Sequence, residues 1–341
     1  MSRLRVLHLT GSAQDRFHRD LSRLYARDCL AATADPTRYE FQIAYITPDR
    51  QWRFPLSLSD QDIATAETLD LSEAIALIQS LRIDVVIPQM FCLAGMTLYR
   101  NLFDLLGIPY VGNAGEVMAL TARKDRAKAI AAGAGVKVPY GELLKTSNSP
   151  TLRPPVVIKP SSADNSLGVS LVSDEHQYTA ALQTAFSYAD TVLVEEYIEP
   201  GREVRCGLVE KEGELIGLPL EEYPVDAKNH PIRSYGDKLE RSESGDLALT
   251  PKGINKSWIV DPSDSITPVV QAAAKQCHQA LGCRHYSLFD FRIDPQGNPY
   301  FLEAGLYCSF SPRSVIAEMA KSAGLSLNEL LAMTLKAALR P

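Results

Sequence analysis

Short apolar runs alternate with amphipathic helical segments through the first third of the chain, and this alternation restricts the fold more than any other feature of the sequence. LRVLHLT reads as a buried strand ending at a Gly-Ser turn, and a helix follows near Asp20–Ala32. YEFQIAYIT is a second strand, SEAIALIQSLR an amphipathic helix, and IDVVIPQ a third strand. This rhythm predicts a parallel sheet with helices on its faces. After about Leu120 the pattern changes. TARKDRAKAIAAGAGVKVP is a helix closing at glycines and a proline. PPVVIKP, VSLV and TVLVEEYI are strands around a helix in DEHQYTAALQTAF. The last part opens with two strands about the Lys211-Glu212-Gly213 turn. It continues through a helix around Val269–Leu281 and the strands YSLFDFRID and PYFLE, and it ends in two helices. With 341 residues the chain is too long for one small core. The reading is α/β and α+β in three domains: an N-terminal parallel-sheet domain over 1–120, a central unit over 121–198 and a C-terminal unit over 199–341.

Charge and cysteine usage exclude several classes of function. The formal net charge of −6 favours neither nucleic acid nor an anionic membrane as partner. No run of 18 apolar residues exists to span a bilayer, and the start reaches a polar turn too early for a signal peptide. The six cysteines form no C-x-x-C pair, which weakens zinc and dithiol readings and fits a reducing compartment. A cytoplasmic enzyme acting on small molecules is expected.

The chemistry starts at SLFDFRIDPQGNPYFLEAG. Residues 288, 290 and 292 share one strand face, and the Pro-Gln-Gly turn returns the chain antiparallel, bringing Glu303 beside Asp290. Two carboxylates aimed at one spot in apolar surroundings need a cation between them, and hard oxygens suit Mg²⁺ with substrate phosphates. An exposed hairpin with incidental acids is the plain alternative, and the apolar flanks argue against it. Lys159 ends the strand VVIK, and the small-residue loop SSADNSLG that follows, with Ser166 and Gly168, is suited to turning N–H groups and hydroxyls toward an anion. Lys124 stands near a helix start, where a nearby phosphate would explain a cation. The segment VLVEEYIEPGREV reads as a hinge between two domains, a natural cleft for a flat base. Backbone groups near Glu195, Glu196 and Ile198 would meet adenine, and Glu203 the ribose. The polar stretch 225–257 reads as either a surface loop or an active-site lid.

Together these residues resemble the ATP-grasp fold and, within it, the D-alanine–D-alanine ligase family, over nearly the whole chain and in the family's order. The resemblance implies a three-domain ATP-dependent ligase, in a family where ATP phosphorylates a carboxylate and an amine then attacks the acyl phosphate. It assigns Lys124 and Lys159 to the phosphates, SSADNSLG to the flexible phosphate loop, and Glu195, Glu196, Ile198 and Glu203 to the nucleoside. It assigns Asp290 and Glu303 to Mg²⁺, Lys238 to the lid, and Ser314, with Ser309 nearby, to the second amino acid. Four departures stand out. Gly305 occupies the place of a third metal ligand, Asn. Leu288 occupies the place of the arginine that stabilises the oxyanion, for which Arg292 on the same face is the substitute. Asp15, Asn165 and Leu239 replace a Glu–Ser–Tyr triad. PQMFCLAGMT, with Gln89, replaces the usual first subsite. LPLEEY, CHQALGCRHYSLFDFRID and FLEAGLYCSFSP resemble one branch of the family, the ligase-like enzymes of mycosporine-like amino acid biosynthesis. That branch implies joining mycosporine-glycine to serine or threonine, giving imine sunscreens such as shinorine or porphyra-334. Leu288 then spares a positively charged vinylogous intermediate from a facing cation, and Gly305 leaves room for its ring. A true D-alanine–D-alanine ligase and a non-catalytic nucleotide-binding module are the alternatives. The sequence leaves the oligomeric state open, and the resemblance adds only that family members often form a homodimer.

Overall fold

The computed structural model describes residues 3–146, 148–163, 166–233, 239–241, 247–249 and 257–340. The N-terminal part runs β1 (Leu4–Gly11), α1 (Arg16–Thr33), β2 (Tyr39–Ile46), β3 (Trp52–Arg53), α2 (Asp60–Thr65), α3 (Leu71–Leu81), β4 (Val85–Pro88), α4 (Leu93–Met96), α5 (Leu98–Leu105) and α6 (Gly115–Thr121). Its sheet has the order β3-β2-β1-β4, with β1 parallel to both β2 and β4. The expected parallel sheet is present, with most of β1 and all of β4 buried, as a parallel sheet covered on both faces requires.

The central part holds α7 (Lys124–Gly133), β5 (Gly141–Lys145), β6 (Val156–Pro160), β7 (Ser170–Val172), α8 (Tyr178–Phe186) and β8 (Thr191–Glu196). Its antiparallel sheet runs β5-β8-β6-β7. Helix α7 falls inside the central unit by sequence, yet Ala127 and Ala131 pack in the core of the C-terminal sheet with Phe289 and Phe301. The central sheet's own core starts only at Leu144. Alanines with little side-chain bulk allow α7 this close approach.

The C-terminal part comprises β9 (Arg202–Lys211), β10 (Glu214–Gly217), β11 (Glu221–Tyr223), β12 (Leu239–Arg241), β13 (Leu247–Leu249), β14 (Trp258–Ile259), α9 (Ile266–Ala280), β15 (Tyr286–Ile293), β16 (Pro299–Ala304), α10 (Val315–Ser322) and α11 (Leu327–Ala338). Its main sheet runs β14-β11-β9-β15-β16. Every residue of β15 is buried, so its polar side chains must find partners inside the protein. A further core joins Val6, Val85 and Val111 of the N-terminal part to Tyr286, Leu288 and Met319. This seam seats the first sheet on the C-terminal one.

Candidate active site

A β-bulge sets the position of the paired acids. Arg292 lies opposite Tyr300, a register that by itself would put Leu302 opposite Asp290. One extra residue on β16 shifts the pairing between Asp290 and Phe291, and Glu303 comes opposite Asp290 instead. The expected acid pair is therefore present. Asp290 is buried and Glu303 partly exposed. Glu303 accepts a salt bridge from Lys124 at 3.2 Å.

The acids open into a cleft of about 790 Å³ between the central and C-terminal sheets. Lys124, Lys159, Ser166, Glu195, Glu196, Ile198, Glu203, Asp290, Arg292 and Glu303 all line it, so one cavity collects every residue assigned to nucleotide or metal that the structure describes. The end of the loop after β6 is closely packed at Gly168. Gly168 has φ +69°, and a Cβ there would meet Pro160 and Tyr188 at under 3.0 Å. The Lys124 backbone N–H donates to the Ser161 carbonyl at 2.8 Å, which ties the start of α7 to that loop.

Glu195 does more than mark the hinge. Its buried carboxylate accepts from Lys128 and, at 2.7 Å, from Lys159. Burial would raise its pKa, but the two lysines hold it below the ordinary carboxylate value. Two lysines sharing one carboxylate leave Lys128 short of compensation. Burial, with Lys159 nearby, pushes its pKa down to about 7 although Glu195 raises it. Lys128 escaped the sequence reading, although its position one helical turn after Lys124 was a usable signal.

Arg205 was also missed, and it changes the electrostatics. It lies opposite Asp290 on β9, just as Glu203 lies opposite Arg292. Glu-x-Arg on one strand and Asp-x-Arg on its antiparallel neighbour give two crossed ion pairs, a signal readable once the strands are paired. Arg205 binds Asp290 through Nε and, at 2.7 Å, through Nη2. Burial would lower its pKa, but Asp290, Tyr223 and Glu221 hold it well above the ordinary value.

Several residues assigned to the site by sequence have other partners in the structure. Arg292 donates to Glu203 at 2.5 and 3.1 Å, to the Pro231 carbonyl at 3.1 Å and to the Ile198 carbonyl at 3.4 Å. It clamps Glu203 to the segment after β8, and these contacts occupy its Nε, Nη1 and Nη2. Leu288 shares the strand face of Asp290 but is 6% exposed, within the seam between the N- and C-terminal parts. It does not line the cleft. Gln89 is 0% exposed. Its backbone carbonyl accepts from Ser22 at 2.6 Å and its Oε1 meets His8 Nδ1 at 3.0 Å, so both of its oxygens join elements of the N-terminal part.

Asp15 caps α1 by accepting from the His18 N–H at 2.8 Å. The Ser314 hydroxyl donates to the Ser309 carbonyl at 2.7 Å, and Ser309 Oγ accepts from the Ser311 N–H at 3.1 Å. These serines build the turn before α10, outside the nucleotide cleft. A Cβ on Gly305 would meet nothing within 4 Å, so the space beside Glu303 is open. Asn165 and Lys238 lie outside the described residues, as does part of the 225–257 stretch.

Among the described residues no group of three acids, histidines or cysteines converges on one point. Asp290 and Glu303 nevertheless fit Mg²⁺, which takes one or two carboxylates and completes its shell with water and phosphate oxygens. Bound there, the ion would neutralise phosphoryl charge.

Residues 142–336 match the family described as "D-ala D-ala ligase C-terminus". The D-alanine–D-alanine ligase of Citrifermentans bemidjiense is 31% identical over 249 residues, 70% of this chain and 73% of that protein. That of Agrobacterium fabrum is 32% identical over 242 residues, 68% of this chain and 73% of that protein. The chain belongs to the D-alanine–D-alanine ligase family. Solved structures agree in fold across 99% of this chain. The VanG D-Ala:D-Ser ligase from Enterococcus faecalis matches with a TM-score of 0.78 at 22% identity over 100% of its own length. The Bacillus anthracis D-alanine–D-alanine ligase complexed with ATP matches with a TM-score of 0.71 at 20% identity over 98% of its length. As a member of this family the chain is an ATP-dependent carbon–nitrogen ligase of the ATP-grasp fold, with ATP and Mg²⁺ as cofactors. Among the described residues no helix is long and apolar enough to cross a membrane.

Proposed function

We propose that this ligase joins serine or threonine to mycosporine-glycine through a phosphorylated intermediate, giving imine products such as shinorine or porphyra-334. The observation that carries the reading is aromatic. Tyr25 and Phe91 meet edge to face at 5.3 Å between ring centroids, and Phe91 and Tyr307 do so at 6.1 Å. Tyr307 follows the open space at Gly305 by two residues. A flat conjugated ring gains more from aromatic walls than an alanine methyl does. The first-subsite stretch is apolar in the same way, with Met90, Phe91, Cys92 and Met96 buried. The reading places the reaction in the cytoplasm, in keeping with six free thiols.

D-Alanine–D-alanine ligation is the second reading, and the relatives support it more directly, since those named above are D-alanine–D-alanine ligases. Arg205 also places a buried cation beside Asp290, and its field would favour a developing oxyanion. A non-catalytic nucleotide-binding module is disfavoured by family membership and by the paired acids. The test is phosphate and ADP release with mycosporine-glycine plus serine in one series and D-alanine in the other. Turnover confined to the first series supports the proposal. Turnover confined to D-alanine replaces it with the dipeptide ligase.

A further inference from the structure

Arg233 is a buried cation whose donors are poorly used. Its side chain is 9% exposed, and its Nη1 lies 3.9 Å from Glu203 Oε1 and 4.0 Å from Asp290 Oδ2, beyond hydrogen-bond reach of either. Its Nε is buried without a hydrogen-bond partner among the described residues. A guanidinium in this condition costs free energy unless an anion completes its shell. Arg205 differs in this respect, because Asp290 takes two of its donors.

The group is nevertheless firmly presented. The Tyr223 ring lies under it, with the ring centroid 3.4 Å from Cζ, and a stacked face leaves the N–H edge open. The preceding segment is pinned by the Pro231 carbonyl, which accepts from Arg292 at 3.1 Å, and by the Asp226–His230 backbone bond at 3.0 Å. Arg233 also lines the nucleotide cleft. Its place between the ribose acid and the metal acid is where the polyphosphate of a nucleotide must run.

We infer that Arg233 binds the polyphosphate of ATP, as a cation added to Lys124 and Lys159. The inference rests on the ATP-dependent reaction and is independent of which acceptor the ligase uses. A purely structural clip on Tyr223 would predict equal losses for every adenosine ligand. A phosphate contact predicts losses that appear only with phosphates.

Equilibrium binding of adenosine, ADP and the imido analogue of ATP, each with Mg²⁺, separates the two. Arg233→Met is expected to leave adenosine within twofold of wild type while weakening ADP and the ATP analogue at least tenfold. Arg233→Lys keeps the charge but loses the planar fork, and it should fall between them. If adenosine weakens as much as the ATP analogue, or if the analogue binds Arg233→Met as it binds wild type, the inference is overturned. Should Arg233→Met fail to fold, Arg233→Lys decides alone, and it must weaken the analogue more than adenosine.

Discussion

Asp290→Asn tests the site's electrostatics most directly, because Asp290 is both a metal-ligand candidate and the partner of a buried arginine. The paired-acid motif alone predicts loss of turnover with the fold intact. The structure adds a stability cost. Arg205 and Asp290 have side chains 18% and 8% exposed and meet through two bonds, so the pair is largely shielded from water. Removing one member of a buried pair costs about 3–5 kcal/mol, because the other charge stays behind uncompensated. Asparagine keeps one acceptor oxygen, which places the expected cost near about 3 kcal/mol. At a urea slope of about 2–3 kcal/mol/M, the midpoint should fall by roughly 1 M. Arg205→Met should cost a similar amount, and the double variant much less than the sum, since neither charge is then stranded. The expected coupling is about 2 kcal/mol, measured by urea unfolding of the four proteins without nucleotide. Coupling below about 0.5 kcal/mol would mean the pair does not hold the sheet, and the reasoning fails.

Three further outcomes are expected. Glu303→Gln should abolish Mg²⁺-dependent phosphate release while changing stability by no more than about 1 kcal/mol, since its side chain is 29% exposed and its lysine contact is partly solvated; near-normal release at saturating Mg²⁺ removes the metal assignment. Gly305→Asn should fold within about 0.5 kcal/mol of wild type because its Cβ meets open space, and its amide oxygen should lower the Mg²⁺ needed for half-maximal turnover; a loss above about 1.5 kcal/mol would show the space is not open. Lys128→Met should flatten the pH dependence of stability. With a pKa of about 7 when folded and an ordinary value of 10.5, Lys128 binds more protons in the unfolded state between these limits, so wild-type stability rises with pH across that window. Urea midpoints at about pH 7 and 9.5 should therefore differ less in the variant, and an unchanged difference argues against a depressed Lys128.

The residues gathered in the cleft were legible because their chemistry follows the chain. A period-two strand, a turn and a second strand bring Asp290 and Glu303 together within fourteen residues, and Lys159 closes a strand before a small-residue loop. The bulge that aligns Glu303 was not legible, because it is one inserted residue with no composition of its own. Arg205 was hidden by distance. It lies 85 residues before Asp290, and only the pairing of β9 with β15 makes them partners. Ser309 and Ser314 carry hydroxyls that satisfy backbone needs as readily as a substrate's, and the structure uses them for the former, while the Gln89 side chain meets His8. Leu288 was legible as a departure from the family but not as to place, since a strand face continues from the cleft into the seam without any change in the sequence pattern.

That placement changes what a leucine at 288 can mean. The sequence suggested that a cation was excluded there to spare a positively charged intermediate. Leu288 instead packs with Val111, Phe310 and Met319, where any guanidinium would be stranded, so packing alone accounts for its apolar character. Meanwhile Arg205 stands one strand away at the same level as Asp290, so a cation does lie beside one of the paired acids. While Asp290 binds it, the pair presents little net charge to a group several ångströms away. Were Asp290 to ligate Mg²⁺, the Arg205 charge would no longer be cancelled. The two functional readings then assign it opposite effects. It favours a negative tetrahedral oxygen in dipeptide ligation and opposes a cationic ring in mycosporine-glycine activation. Arg205→Met, made for the stability cycle, therefore also weighs the chemistry on whichever acceptor the wild type turns over: slower turnover fits D-alanine ligation, and unchanged or faster turnover fits mycosporine-glycine activation.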